Sequence, residues 1–188
     1  MLAELLGDEV EPSGRYLAEV IYGANDGIVT TFAVVSGVAG AALSPSIVLI
    51  LGVANLFADG FSMGMSNYLS RRSEIDYRES RTGAEQGAGA TGTGEPHDGG
   101  KSPARTAFVT FLAFVVAGWA PLLPYVFELG PLFGASIAFT ALAFFGVGAS
   151  RSLVTDRHWA INGMEMFVVG MAAAAVAYAV GSLLGGVA

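Results

Sequence analysis

No cysteine occurs among the 188 residues, which excludes disulfides, thiolate metal sites and iron–sulfur ligation. Charge is scarce as well: only 13% of the residues are Asp, Glu, Lys or Arg, and these gather in a few clusters. Basic residues number 9 against 16 acidic ones, and a net charge of −7 argues against nucleic acid as a partner. The opening segment, Met1 to Pro12, holds Glu4, Asp8, Glu9 and Glu11 and no Lys or Arg, so it lacks the positive region of a secretory signal. Its Leu2, Leu5 and Leu6 fit a short amphipathic turn on the cytoplasmic surface or a frayed tail. No Ser/His, Cys/His or His-rich cluster lies within an apolar run, which argues against an enzyme.

What the chain does have is apolar length. It is 53% hydrophobic, and its mean hydropathy of +0.59 is far too high for a soluble domain of this size. Five apolar runs approach or exceed the length of about 20 residues that a helix needs to cross the hydrocarbon layer: Tyr16 to Gly40, Ile47 to Leu69, Thr106 to Phe127, Leu132 to Ser150 and Trp159 to Leu184. Lipid offers backbone groups no hydrogen bonds, so unbroken runs must be helices, and barrel strands would alternate polar with apolar residues, as these do not. The predicted fold is an all-α integral membrane protein of five transmembrane helices.

Basic residues orient it. Arg15 precedes the first span, Arg71, Arg72, Arg78, Arg81, Lys101 and Arg105 lie between the second and third, and Arg151 and Arg157 lie between the fourth and fifth. The turns at Ala42 to Ser46 and Glu128 to Pro131, and the carboxyl end, carry none. That puts the amino terminus in the cytoplasm and the carboxyl terminus outside. The chain divides into a cytoplasmic segment (1–14), a pore-lining helix pair (15–73), a cytoplasmic loop (74–104) and three further helices (105–188). In the loop, Glu74 to Arg81 is charged enough to extend the second helix into water, whereas Gly83 to Gly100, rich in Gly, Ala and Thr and containing Pro96, reads as a flexible linker. Glu74, Asp76, Glu79 and Glu85 fit a solvated helix end better than a cation funnel at a pore mouth, and His97 with Asp98 fits a solvated pair better than a metal site.

Chemistry concentrates in the first two spans. Asp26 and Asp59 lie in mid-span, where a carboxylate costs roughly 2.5–3.5 kcal/mol, so each needs a partner, a proton or a metal. Glu19, Tyr22, Gly23 and Asp26 follow at i, i+3, i+4 and i+7 and share a helix face, with Glu19 nearer the cytoplasm. Asn55, Asp59, Met63 and Asn67 follow in steps of four, a polar stripe that cannot face lipid. Two glycine pairs, Gly23/Gly27 and Gly60/Gly64, would allow close backbone approach and bring Asp26 to Asp59 and Met63. Carboxylate and amide oxygens accept divalent cations, and a thioether from Met63, with Met65 nearby, favours a softer first-row ion than Mg2+ or Ca2+; Fe2+ suits such a site, with Mn2+, Co2+ and Zn2+ as competitors. Filler methionine and a buried acid pair that merely locks two helices are the alternatives.

Five short helices rich in Gly and Ala leave little room for a channel within one chain, so a two-fold homodimer pairing copies of Asp26, Asp59 and Met63 is expected. Four carboxylates in one apolar constriction cannot all stay ionised without a cation, which would couple metal entry to proton release. Pro121 and Pro124 predict a bend near the outer end of the third span. Glu165 is placed to pair with Arg151 or Arg157.

Tyr22-Gly-Ala-Asn-Asp26-Gly-Ile-Val-Thr-Thr-Phe and Gly60-Phe-Ser-Met63-Gly-Met-Ser-Asn-Tyr68-Leu-Ser-Arg-Arg-Ser-Glu74 resemble the vacuolar iron transporter family. Pro121-Leu-Leu-Pro-Tyr125, Ala143-Phe-Phe-Gly-Val-Gly148 and Val169-Gly-Met-Ala-Ala-Ala-Ala-Val-Ala-Tyr178 extend the likeness over nearly the whole chain. The resemblance implies a five-span homodimer that moves Fe2+, and often Mn2+, out of the cytosol in exchange for protons, with no resident cofactor. It matches Asp26 to a pore aspartate, Met63 to a pore methionine and Glu19 to an acidic position at the cytoplasmic entrance. Two features depart from the pattern: Asn55 stands where eukaryotic members often carry glutamate, with Asp59, one turn from Met63, either replacing the lost charge or shifting the site, and a short glycine-rich loop replaces a helical metal-binding domain. The missing domain and small size point to a prokaryotic cell membrane.

Overall fold

The computed structural model describes residues 14–87, 101–153 and 157–185, the side chains of 82–87 excepted. Each apolar run forms a helix: α1 (Leu17–Gly40), α2 (Pro45–Gly87), α3 (Pro103–Gly118), α5 (Leu132–Ser150) and α6 (Trp159–Gly185). A 3-10 turn (Ala120–Leu122) and the short α4 (Leu123–Val126) continue α3, and a second 3-10 turn (Arg151–Leu153) follows α5. No strand occurs among the described residues.

The bend expected in the third span falls between α3 and α4. Pro121 and Pro124 lack amide protons, so the regular ladder cannot run through; instead the Leu122 and Leu123 amides both donate to the Trp119 carbonyl. The buried Ser136 hydroxyl donates to the Pro121 carbonyl at 2.7 Å and ties the bend to α5. At the other end of α3, Pro103 occupies the first turn behind an extended Ser102, a position where a missing N–H costs nothing.

The second helix runs farther than expected. It passes through Glu74 to Arg81 as predicted and continues to Gly87, past the point at Gly83 where a linker was expected to begin. Side-chain pairs along the helix, Arg71 with Glu74 at 2.7 Å and Arg72 with Asp76 at 3.2 Å, support the stretch that leaves the apolar layer. Met1 to Pro12, His97 and Asp98 lie outside the described residues, and Glu85 outside the described side chains.

Four helical stretches are long and apolar enough to cross a membrane: Pro45–Arg81, Pro103–Val126, Leu132–Leu153 and Trp159–Gly185. The first expected span, α1, has the length, 24 residues, but its polar residues, Glu19, Asn25 and Asp26 among them, lower its hydropathy. Its position compensates. α1 packs against α2, α3, α5 and α6 and buries Ala24, Ile28, Phe32 and Val35, so it presents little surface to lipid. Between 17% and 33% of the four apolar windows is buried within the bundle, and exposed side chains such as Phe57, Phe108, Leu142 and Val176 leave an apolar exterior that suits lipid.

Close backbone contacts set the helix directions. An added Cβ on Gly23 would meet the Thr110 carbonyl and one on Gly27 that of Phe114, so α1 and α3 run parallel; Gly37 lies against Gly181 and gives α6 the same direction. Gly64 lies against Ala107 and Gly60 against Phe114, which makes α2 antiparallel to α3, and Gly148 against Asn162 with Gly170 against Phe144 does the same for α5 and α6. All nine basic residues consequently sit at one end of the bundle. The main core, with Phe32, Val35, Val48, Leu56, Phe114 and Leu122, lies towards the opposite end.

Gly27→Ala is expected to lower stability by about 1–3 kcal/mol, because a backbone carbonyl cannot move aside as a side chain can. Gly146→Ala, where a methyl meets nothing within 4 Å, should cause no loss. Thermal unfolding of the purified protein in detergent compares the two.

Candidate metal site

Asp26 and Asp59 owe their positions to the residues that follow them. On α1, Gly27 is buried against α3, and on α2 the buried Leu56, Gly60 and Gly64 line up in steps of four. The residue before each buried one is turned about 100° away, at the edge of the packed face. Asp26, Asn55, Asp59 and Met63 all hold that edge position, and all are half-buried. Asp59 lies close enough to Asp26 for the two carboxylates to repel one another.

The glycine pairs achieve this differently from the expectation. Gly23/Gly27 and Gly60/Gly64 do not turn α1 and α2 towards each other; both pairs face α3, from Ala107 to Val115. Gly118 completes this wall, since a Cβ there would meet Leu56 of α2 on one side and the Gly27 carbonyl of α1 on the other. Each acid-bearing helix is registered on α3, and the acids come together along its flank.

Neither carboxylate has a hydrogen-bond or ion-pair partner among the described residues. The acids nearer the basic end behave otherwise: Glu74 and Asp76 pair with Arg71 and Arg72, and Glu165 forms ion pairs with both Arg151 and Arg157 at 3.6 Å, the structural role expected of it. Glu19 is held by Lys101, whose Nζ lies 2.9 Å from Oε1 and 3.3 Å from Oε2.

The remaining candidates scatter. Asn67 continues the α2 stripe, but its amide nitrogen donates to the Thr110 hydroxyl at 2.7 Å, and that hydroxyl donates to the Thr106 carbonyl at 2.9 Å. Met65 is two residues from Met63, hence about 200° around the helix; it lines a separate apolar groove with Phe61, Tyr68, Phe108 and Phe111. Glu74 is exposed and paired. No group of three or more His, Asp or Glu side chains gathers among the described residues. One chain therefore offers two carboxylates, with the Asn55 amide and Met63 thioether on the same stripe, as an incomplete donor set.

A cavity of about 720 Å³ opens near the basic end, lined by Glu19, Tyr22, Asn25, Asn67, Thr106 and Glu165 among others. Sequence reasoning passed over Asn25 and Thr106 as lining groups, and Lys101 as the partner of Glu19. Asn25 stood inside the Tyr22-to-Asp26 motif and could have been picked out there; Lys101, 82 positions from Glu19, carries no local sign of the pairing.

The sequence matches the VIT family over residues 17–95 and 89–182. It is similar to "Vacuolar iron transporter 1" of Oryza sativa subsp. japonica, at 27% identity over 214 residues covering 88% of this chain and 84% of the rice protein. Shorter, stronger similarities link it to "Vacuolar iron transporter" of Plasmodium berghei (50% over 62 residues, 33% of this chain and 23% of the relative) and of Toxoplasma gondii (45% over 87 residues, 44% and 29%). These two alignments span less than a third of the relatives' length, whereas the rice alignment takes in most of both proteins.

Asp59→Asn removes one of two mutually repelling charges, so at pH 8 and without metal it should raise the unfolding temperature by about 2–4 °C per kcal/mol of repulsion relieved. The same substitution should shrink the further rise that Mn2+ gives the wild type. Scanning calorimetry with and without Mn2+ reads both effects.

Proposed function

Because the chain belongs to the VIT family, we propose that it is a five-helix transporter that carries Fe2+, and also Mn2+, out of the cytosol in exchange for protons. The observation that carries this reading is the pair Asp26 and Asp59: two half-buried carboxylates within electrostatic range of one another, without cationic partners among the described residues, while Glu19, Glu74, Asp76 and Glu165 are each paired. Mid-helix acids left this way are costly unless a cation or a proton joins them. A divalent ion removes the repulsion at a stroke, and protons do so when the ion has left, which is the basis for exchange.

The donor set favours the proposed cargo. Asp26, Asp59 and Asn55 supply oxygens and Met63 a thioether, a combination better matched to Fe2+ than to Mg2+ or Ca2+; Mn2+, Co2+ and Zn2+ remain competitors. One copy falls short of a full coordination shell, and a second copy related by a two-fold axis would double it. The half-exposed edges of α1 and α2 that bear these residues are the surfaces such a dimer would use.

The shape of the bundle fits entry of the ion from the cytosolic side inward to the site. The cavity, with Glu19, Asn25 and Asn67 among its lining, opens at the end where all the basic residues gather, which the positive-inside rule would make cytoplasmic. Beyond the acids, Phe32, Val35, Leu56 and Leu122 close the opposite half. The arrangement corresponds to an inward-open state, with α1 as the first of five spans.

Metal uptake into liposomes under an imposed pH gradient, comparing Fe2+, Mn2+ and Zn2+, tests the reading. Asp26→Asn should reduce transport about tenfold or more, and Met63→Ala should lower the preference for Fe2+ over Mn2+. A wild type that moves no divalent ion sinks the assignment. Asp26→Asn that transports normally but assembles differently would instead favour a scaffold whose acids only join helices.

A further inference from the structure

Lys101 is the only lysine in the chain, and it stands one residue before Ser102 at the head of α3. Its ammonium reaches both oxygens of Glu19 and lies 5.9 Å from the Tyr16 ring centre. The pair is sheltered: the side chains are 21% and 11% exposed, against 61% and 57% for Arg72 and Asp76 on the surface of α2. Glu19 lines the 720 Å³ cavity, two helical turns from Asp26 on the same helix. A dication arriving from the basic end therefore meets an acid whose charge is already satisfied from within the chain.

Resting on the transport reading, we infer that Lys101 is an internal competitor for the Glu19 carboxylate in the cavity wall, where Arg151 and Arg157 already hold Glu165, a tethered cation that a divalent metal must displace from Glu19 before moving on to Asp26 and Asp59. Three properties suit it to that part. An ammonium is a compact point charge on a flexible stem and binds a carboxylate without the rigid fork of an arginine, so it can swing away without disturbing its neighbours. The pair is shielded enough for its charge to matter yet borders an open cavity, so an incoming ion has access. Tethering keeps the local ammonium concentration high, so a weakly bound monovalent ion cannot take its place while a dication can. Lys101 thus sets the threshold of metal concentration at which Glu19 is occupied, while the close contacts of Gly23 and Gly27 hold α1 on α3 whether or not the pair is formed.

Lys101→Met should lower KM for Mn2+ in the liposome assay by about fivefold or more while leaving kcat within about twofold. Lys101→Arg, whose guanidinium fork grips a carboxylate more firmly, should raise KM. Glu19→Gln should raise KM, and in its background Lys101→Met should do nothing further, the sign that the two act on one step. Lys101→Gln, which keeps a hydrogen-bond donor to Glu19 while losing the charge, serves if the methionine variant folds poorly, and calorimetric Mn2+ binding to the detergent-purified protein gives the same comparison without transport. Unchanged KM and unchanged binding in both neutral variants, with wild-type transport intact, would overturn the competitor role. So would a loss of kcat alone, which marks a fastener between α1 and α3. A wild type that binds Mn2+ but moves none would remove the transport reading instead, with the competition still decided by the binding constants.

Discussion

Two half-buried acids without a cationic partner are the constraint that this apolar bundle has to accommodate. Asp26 and Asp59 lie within electrostatic range of one another and have no cationic partner among the described residues, a costly arrangement for acids within apolar helices. The rest of the molecule can be understood as the means of bringing them together and keeping lipid away. α1, which carries the first acid and is not among the helices apolar enough to cross a membrane by composition, is wrapped by four others; α2, which carries the second, turns only the edge of its packed face to the site.

The instrument is α3. Gly23, Gly27, Gly60 and Gly64 remove the side chains that would hold α1 and α2 off its backbone, and Gly118 admits both a Leu56 methyl and the Gly27 carbonyl. Close packing of this kind substitutes dispersion and shape for the hydrophobic effect, which offers no drive between helices already dissolved in lipid. Its far end is secured by the proline bend and the Ser136 hydroxyl bond, and its near end by Lys101 on Glu19. A helix with no acid of its own thereby sets the register of the two that have one.

Charge is handled differently along the bundle. Near the basic end each of Glu19, Glu74, Asp76 and Glu165 has a lysine or arginine beside it, and the surface there can afford water as well. Towards the middle the pairing stops. The contrast separates acids that are paired within the fold from two that are not, and the cavity is lined by members of the first group, Glu19 and Glu165.

Composition and periodicity alone decided the class of molecule: lipid forbids unsatisfied backbone, so long apolar runs had to be helices, and their limits agree with the structure at α5 fully and at α1 and α6 to within a residue. The stripe Asn55, Asp59, Met63 was legible for the same reason, since helical geometry is local. Partners across helices were not. Nothing in the spacing of Gly23 or Gly60 says that α3, rather than the other acid-bearing helix, lies opposite; nothing near Glu19 announces a lysine 82 residues on; and Met65, attractive beside Met63, turned out to face an apolar groove. Rotation of a helix about its axis and the choice of its neighbour depend on packing summed over the whole bundle, so those facts exist only once all the helices are assembled.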